Sequence, residues 1–239
     1  MSGLRSHYRV SVIIPTLNEA LRIGARLDEL AAIGGWYEIL VVDGGSTDGT
    51  RAIAQRPGVQ LIDGPRGRAS QMNAAAARAT GDVLLFLHAD VVLPADAHRW
   101  IAAALTDPSA TGQSVVAGAF RTWTVADLEG HWWAPALHLA DLRSRYSLLP
   151  YGDQALFVRA AAFTLVGGFP DQPLLEDLEL SRRLRRIGRI RTVRARVRVS
   201  GRRFLQHPIY YTFLVNVLPA MYYLGVPART LARLYGNPR

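Results

Sequence analysis

The chain has 239 residues, a formal net charge of +9, a hydrophobic fraction of 49% and no cysteine. That length and apolar content suit one large globular domain with a sizeable core, or a domain with a substantial extension, and exclude a disordered chain. The missing cysteine excludes disulfides, thiolate metal centres and a thiol nucleophile, and because all 28 basic residues are arginine a Schiff-base lysine is excluded too.

In chain order, residues 1–9 lack the apolar core of a secretion signal, so a cytoplasmic location is expected. Residues 10–16 are an apolar, β-branched run that predicts a buried strand. Residues 19–32 carry Leu21, Leu27 and Leu30 at helical spacing, with Asn18 as the expected cap. Further strands are predicted over 38–43, 59–63 and 83–87. Helices are predicted over 48–55 and 69–79, and from Pro94 to about 105, proline being suited to a first turn. The alternation predicts an α/β fold with a mostly parallel sheet flanked by helices.

Parallel sheets bind ligands beyond the carboxyl ends of their strands. Here each of those ends is polar: Pro15-Thr16-Leu17-Asn18-Glu19, Asp43-Gly44-Gly45-Ser46-Thr47-Asp48, Asp63-Gly64-Pro65-Arg66-Gly67-Arg68 and His88-Ala89-Asp90. Acids beside arginines and glycines along one edge point to a ligand with both phosphates and hydroxyls. At a strand end, His88 and Asp90 share a direction and can address one ion or one ribose. A carboxylate suits magnesium or manganese, and imidazole suits manganese better. The plainer alternative is a partly buried histidine followed by an acid that caps a turn.

Beyond residue 114 the pattern loosens. Strands are predicted over 115–124 and 155–159, and helices over 130–146, interrupted by Pro135, and over 176–187. Val193, Ala195, Val197 and Val199 alternate with Arg194, Arg196 and Arg198, which predicts a half-buried strand with an arginine face. Residues 204–228 carry no formal charge and are rich in tyrosine.

Five segments in order, "SVIIPTLNEA", "ILVVDGGSTDGT", "FLHAD", "GDQALFVRAAAFTLVGGFP" and "LLEDLELSRRLRRIG", resemble family 2 glycosyltransferases, which have the GT-A fold. The likeness spans Val10 to about Arg203 and is closest to a branch of short bacterial members without membrane helices. It implies a GT-A domain over residues 1–203, Rossmann-like and specific for nucleotide-diphospho-sugars, followed by a helical, aromatic-rich extension over 204–239. It implies that Pro15, Thr16, Glu19 and Asp43 contact the nucleoside and that Arg68, Gln71 and Asn73 border the donor. Asp90 matches the last acid of the family's Asp-x-Asp motif, which holds a divalent ion, Mn2+ or Mg2+, on the diphosphate. Asp177 matches the general base of an inverting displacement, and Arg202 and Arg203 match a basic pair that faces the diphosphate.

Two positions depart from the family pattern. His88 stands where many members have aspartate, so the ion is held either by His88 and Asp90 together or by Asp90 alone. Gly44 stands where many members have a second aspartate that reads the base, so UDP-, GDP- and dTDP-sugars stay open, with UDP preferred. Acids at 176 and 177 would also be favourable at any helix start, by about 0.3–1 kcal/mol each. Glu176 and Asp153 are expected on the acceptor side, although Asp153 also suits a simple turn.

Eleven arginines lie between Arg182 and Arg203. No nucleic-acid motif or interleaved stacking aromatic accompanies them, so solvated helix and sheet faces are expected and nucleic acid is not. The same charge would attract anionic lipid headgroups. Pro208, Pro219, Gly225 and Pro227 argue against a spanning helix in the tail. Its tyrosines and flanking arginines suit contact with a membrane surface, packing against the domain, or a homodimer contact. Membrane contact would suit a lipid-linked or hydrophobic acceptor. The function expected is therefore an inverting, metal-assisted glycosyltransferase. The alternatives are a non-catalytic nucleotide-sugar-binding protein and a nucleotidyltransferase of the same fold.

Overall fold

The computed structural model describes residues 8–106, 114–125, 141, 144, 149–201 and 208–236. The first half is the expected strand–helix alternation: β1 (Val10–Thr16), α1 (Ala20–Ile33), β2 (Glu38–Asp43), α2 (Thr50–Ala54), β3 (Val59–Asp63), α3 (Arg68–Ala76) and β4 (Val83–Phe86). There follow β5 (Val91–Val92), α4 (Ala97–Thr106), β6 (Val115–Val125), β7 (Phe157–Arg159), α5 (Ala160–Leu165), α6 (Glu176–Ile187), β8 (Arg189–Ser200), α7 (Pro208–Tyr223) and α8 (Ala228–Tyr235). The strands form one sheet in the order β3-β2-β1-β4-β7-β6-β8-β5. The β3-β2-β1-β4 half and the β6–β8 pair are parallel, and β7 joins them by antiparallel pairing on both sides. β5 closes the far edge, antiparallel to β8.

Both faces of β1, β2 and β4 are covered, which is why these strands read as mainly apolar runs. Val12 and Ile14 of β1 face one cluster with Ile23, Leu27 and Leu30 of α1. Ile13, between them, faces the other with Met72 of α3 and Leu180 and Leu184 of α6. On β8, Val193 and Val197 are buried while Arg194, Arg196 and Arg198 are exposed, as the alternation predicts.

A third cluster seats the C-terminal helices. Leu214 and Leu218 of α7 and Leu231 of α8 pack on Leu174, Leu175 and Leu178 around the start of α6. Among the described residues no helix is long and apolar enough to cross a membrane. α7 has 16 residues with Pro219 inside it.

Three local expectations need correction. Asn18 does not cap α1; its backbone is left-handed (φ 55°) and its Oδ1 accepts from Thr47 N–H at 2.9 Å. Asp48 instead accepts from Ala20 N–H at 3.1 Å, so the next loop supplies the cap. The helix expected from Pro94 starts at Ala97, and the strand expected from 155 starts at Phe157 because Ala155 is left-handed (φ 47°). The helix expected over 130–146 lies outside the described residues, save for Asp141 and Ser144.

Candidate active site

The strand ends line up. Thr16 pairs in register with Asp43, and Asp43 with Asp63. Asp43 is buried and accepts from Gly45 N–H at 3.0 Å and Ser46 N–H at 2.8 Å. Burial would raise its pKa, but these bonds, the Ser46 hydroxyl and Arg51 hold it below the usual carboxylate range. The loop after β2 is fastened to the loop after β1, with Asn18 N–H donating to Ser46 Oγ at 2.9 Å and Glu19 N–H to Thr50 Oγ1 at 2.8 Å. Pro15 and Thr16 are buried and Glu19 pairs with Arg22 at 3.3 Å.

Beside this edge is a cavity lined by Arg68, His88, Asp90, Asp153 and Asp177, all of them singled out from the sequence. His88 and Asp90 come from the turn after β4, and both line the cavity. Asp153 comes from a 3-10 turn (Gly152–Gln154) that Gln154 anchors, its amide donating to the Phe120 carbonyl at 2.9 Å. Asp177 sits in the first turn of α6. It accepts from Leu178 N–H at 2.7 Å and from Gly152 N–H. Leu175, immediately before this acidic pair, is left-handed at φ 62°. A non-glycine residue held there is a strain found disproportionately at functional sites.

Burial pushes the Asp177 carboxyl up to about 6, and Glu176 and Asp153 add to the rise while Arg68 and the Gly152 N–H oppose it. Arg68 Nε donates to Glu176 Oε1 at 2.5 Å. Desolvation works against the Arg68 charge, but Glu176 and Asp177 outweigh it and hold the guanidinium above its ordinary value. Glu176 is 2% exposed, stands behind Arg68 rather than on the cavity wall, and its Oε2 has no hydrogen-bond partner among the described residues. Gly152 fits between the two sides of the site. A Cβ there would lie 3.0 Å from Asp177 Oδ2 and 3.0 Å from the His88 ring. The imidazole and the carboxylate are therefore separated by little more than one side chain's width.

Gln71 and Asn73 share α3 with Arg68 but do not reach the cavity. Gln71 Nε2 donates to the Thr16 carbonyl at 2.7 Å, and Asn73 brackets Phe169, donating to its carbonyl at 2.8 Å and accepting from its N–H at 2.9 Å. A Cβ on Gly44 would lie 2.6 Å from Gln71 Nε2, so Gln71 fills the space that a side chain at 44 would need. Arg202 and Arg203 lie outside the described residues.

The cavity also holds residues that the sequence did not mark. Asp141 reaches it by accepting from Thr124 N–H at 2.9 Å and Thr124 Oγ1 at 2.8 Å. The only trace in the sequence is the Thr122-x-Thr124 spacing, which puts two hydroxyls on one face of a strand. Tyr211, Val215 and Leu218 of α7 and Tyr235 of α8 complete the wall. The extension thus lines the cavity.

Among the described residues no three acidic or histidine side chains converge as a ready metal centre. Asp90 and His88 still fit a divalent cation. No hydrogen bond to the Asp90 carboxylate is made among the described residues, and cations of this kind are commonly held by one or two protein ligands with substrate phosphates completing the shell.

A mixed, mostly parallel sheet flanked by helices, with a polar cavity at its carboxyl edge, is the GT-A type of fold. Comparison with known proteins agrees. Glycosyl transferase family 2 matches residues 11–163, more than half of the chain, and the chain belongs to that family. It is similar to an uncharacterized glycosyltransferase of Mycobacterium bovis, 40% identical over 82 residues covering 34% of this chain and 36% of the relative. It is also similar to a PGL/p-HBAD biosynthesis glycosyltransferase of Mycobacterium bovis BCG, 46% identical over 88 residues and 34% of each chain. The chain therefore matches only about a third of the length of these relatives. Among solved structures it resembles a mannosyltransferase of Pyrobaculum calidifontis in complex with GDP-Man and Mn2+ (TM-score 0.66, 23% identity, 94% of this chain and 67% of that one). It also resembles glucosyl-3-phosphoglycerate synthase of Mycobacterium tuberculosis with Mn2+ and UDP-glucose (TM-score 0.62, 20% identity, 93% and 81%). The shared fold is GT-A.

Proposed function

We propose that the protein is an inverting glycosyltransferase that moves a sugar from a nucleoside-diphosphate sugar to an acceptor hydroxyl. One observation carries this reading: the buried Asp177 carboxylate opens on the same cavity as His88 and Asp90, with only Gly152 between the two sides. Asp177 takes the acceptor's proton. A pKa of about 6 leaves it ionised at neutral pH and still basic. A base so placed contributes about 10²–10⁴-fold. Attack from the face opposite the leaving diphosphate inverts the anomeric carbon in one step.

Pro15, Thr16, Glu19 and Asp43 border the nucleoside, and Arg68, Arg202 and Arg203 face the diphosphate. Gln71 and Asn73 act through the backbone they pin, Asp153 stands on the acceptor side, and Glu176 fixes Arg68. Asp90, with His88, holds a divalent cation, which when bound offsets the charge gathering on the departing diphosphate. The Mn2+ bound with a nucleotide-sugar in the mannosyltransferase and in the glucosyl-3-phosphoglycerate synthase supports this assignment. Their GDP- and UDP-sugars keep both bases open here, with UDP preferred. We place the protein at the cytoplasmic face of a membrane, with α7 and α8 against anionic lipid.

Calorimetric titration of UDP, GDP and dTDP, with and without Mn2+, into the wild type and Asp90→Ala tests the donor site. Mn2+-dependent binding of one nucleotide, lost in the variant, is expected. Binding with no metal effect removes the cation from the reading. No binding of any nucleotide overturns the reading itself.

A further inference from the structure

The cavity has two walls of different chemistry. Arg68, His88, Asp90 and Asp177 form a polar wall. Opposite in character are Leu174, Leu175, Tyr211, Val215, Leu218 and Tyr235, supplied by the loop before α6 and by α7 and α8. Positions 211, 215 and 218 recur at helical spacing, so a single face of α7 runs along the cavity. Tyr211 and Val215 are only half-buried although Leu214 and Leu218 of the same helix are buried in the third cluster. Tyr211 packs against that cluster and edge-on to Tyr235, and both it and Val215 still keep partly exposed surface while lining the cavity.

Aromatic rings alone would serve a sugar, because a flat ring can cover a flat sugar face. Branched aliphatic side chains offer no such platform, and placing them beside hydrated hydroxyls gains nothing. Four of the six wall residues are leucine or valine. We propose that this wall is the apolar subsite of the acceptor, and that the accepting hydroxyl is carried by an amphiphile with an alkyl body. The inference rests on reading the cavity as a glycosyl-transfer site. The hydroxyl end faces Asp177 and the alkyl body lies along Tyr211 and Val215, the α7 wall residues that keep exposed surface. In the transfer the hydroxyl oxygen bonds to the anomeric carbon and its proton passes to Asp177. The anomeric bond to the diphosphate breaks, and the diphosphate leaves with the electron pair. The supply of such an acceptor requires a preceding reaction that makes or exposes an alkyl-bearing alcohol.

The test is calorimetric titration of the full chain with glucose and with hexyl, heptyl and octyl β-D-glucoside below their micellar concentrations. Wild type is expected to bind the glucosides at a stoichiometry of one, with affinity rising about three- to fourfold per methylene. Val215→Asp should flatten that dependence, and Tyr211→Ala should weaken every glucoside. Both variants should keep the wild type's nucleotide binding. Should Val215→Asp fail to fold, Tyr211→Ala decides alone. Glucose binding as tightly as octyl glucoside, many-site adsorption, an unchanged chain-length dependence in folded Val215→Asp, or undiminished glucoside binding in Tyr211→Ala would overturn the subsite. Nucleotide binding absent from wild type with the chain-length dependence intact would instead sink the transfer reading and leave an amphiphile-binding cavity.

Discussion

Arg68 and Glu176 are 108 positions apart in the chain, and Arg68 Nε donates to Glu176 Oε1 at 2.5 Å. The bond joins the start of α3, which follows the nucleotide-side strands, to the start of α6, which carries Asp177. The two ends of the pair push the Asp177 carboxyl in opposite directions, Glu176 up and Arg68 down. Arg68→Met should therefore move the acid limb of kcat/KM to higher pH, and Glu176→Gln should move it lower. Arg68→Met should also be costly, since it strands a carboxylate that is 2% exposed. Breaking a buried pair costs about 3–5 kcal/mol, and the lower end applies because Arg68 is itself 30% exposed. Chemical denaturation and pH–rate profiles check both effects, and limbs that move the same way in both variants would contradict the coupling.

Asp177 itself makes a prediction with two signs. Burial raises its folded carboxyl from 3.8 to about 6. The folded chain therefore binds this proton more tightly than the unfolded chain. The associated stability is complete below about pH 4 and is lost as pH rises through about 6. Relative to Asp177→Asn, the wild type should lose up to about 3 kcal/mol across that window. Activity runs the other way, because the base must be ionised. Transfer should rise with pH to half its plateau near 6, and Asp177→Asn should lower it by about 10²–10⁴. Denaturation midpoints at a series of pH values, set against initial rates, separate the two. A rate flat across the acid range would remove Asp177 from the base's role.

At Gly152 the constraint is space. A Cβ would lie 3.0 Å from Asp177 Oδ2 and 3.0 Å from the His88 ring, tighter than most such contacts, and neither neighbour is at the end of a long side chain. Gly152→Ala should force His88 and Asp177 apart and cost about 1–3 kcal/mol as an overpacked site. Transfer should fall further than nucleotide binding, because the base and ribose are assigned to the Thr16 and Asp43 edge and only the cation contact through His88 is disturbed. Thermal denaturation and nucleotide titration of the variant decide this. Wild-type turnover in Gly152→Ala would mean that the two groups do not act together.

Strands β1, β2 and β4 were legible because they are largely buried on both faces and so read as mainly apolar runs, whereas the edge strand β3 shows Gln60 and Asp63 to solvent. Helix α6 was legible to the residue, since its amphipathic repeat begins on Glu176 and stops before Gly188. Residues that meet only through tertiary contact were not. Asn18 has the composition of a cap, yet its partner is Thr47 on the next loop. Gln71 and Asn73 lie near Arg68 in sequence, but each residue turns the helix by about 100°, so one faces the Thr16 backbone and the other Phe169. Gly44 reads as a lost base contact, whereas in the fold Gln71 occupies that space. Nothing local marks Asp141 or the α7 wall as part of the site, because the chain returns to the cavity from remote segments.

Membrane contact through the extension can be tested without disturbing the site. Deleting residues 204–239 would be a poor test, since it uncovers Leu174, Leu175 and Leu178 and removes one wall of the cavity. Phe213 and Leu224 are better targets, being 65% and 85% exposed. Arg229 and Arg233 are exposed on the neighbouring α8. Apolar side chains flanked by arginines suit the boundary between headgroups and acyl chains. Burying one large apolar side chain contributes about 1.5–3 kcal/mol. Phe213→Ser with Leu224→Ser should therefore weaken sedimentation with anionic vesicles by at least about tenfold, with nucleotide binding unchanged. The arginines supply a screened attraction, so wild-type binding should fall as salt is raised. Equal sedimentation of wild type and the double variant would mean that this face does not touch the bilayer. The exposed residues of α7 would then have to be explained by a protein partner.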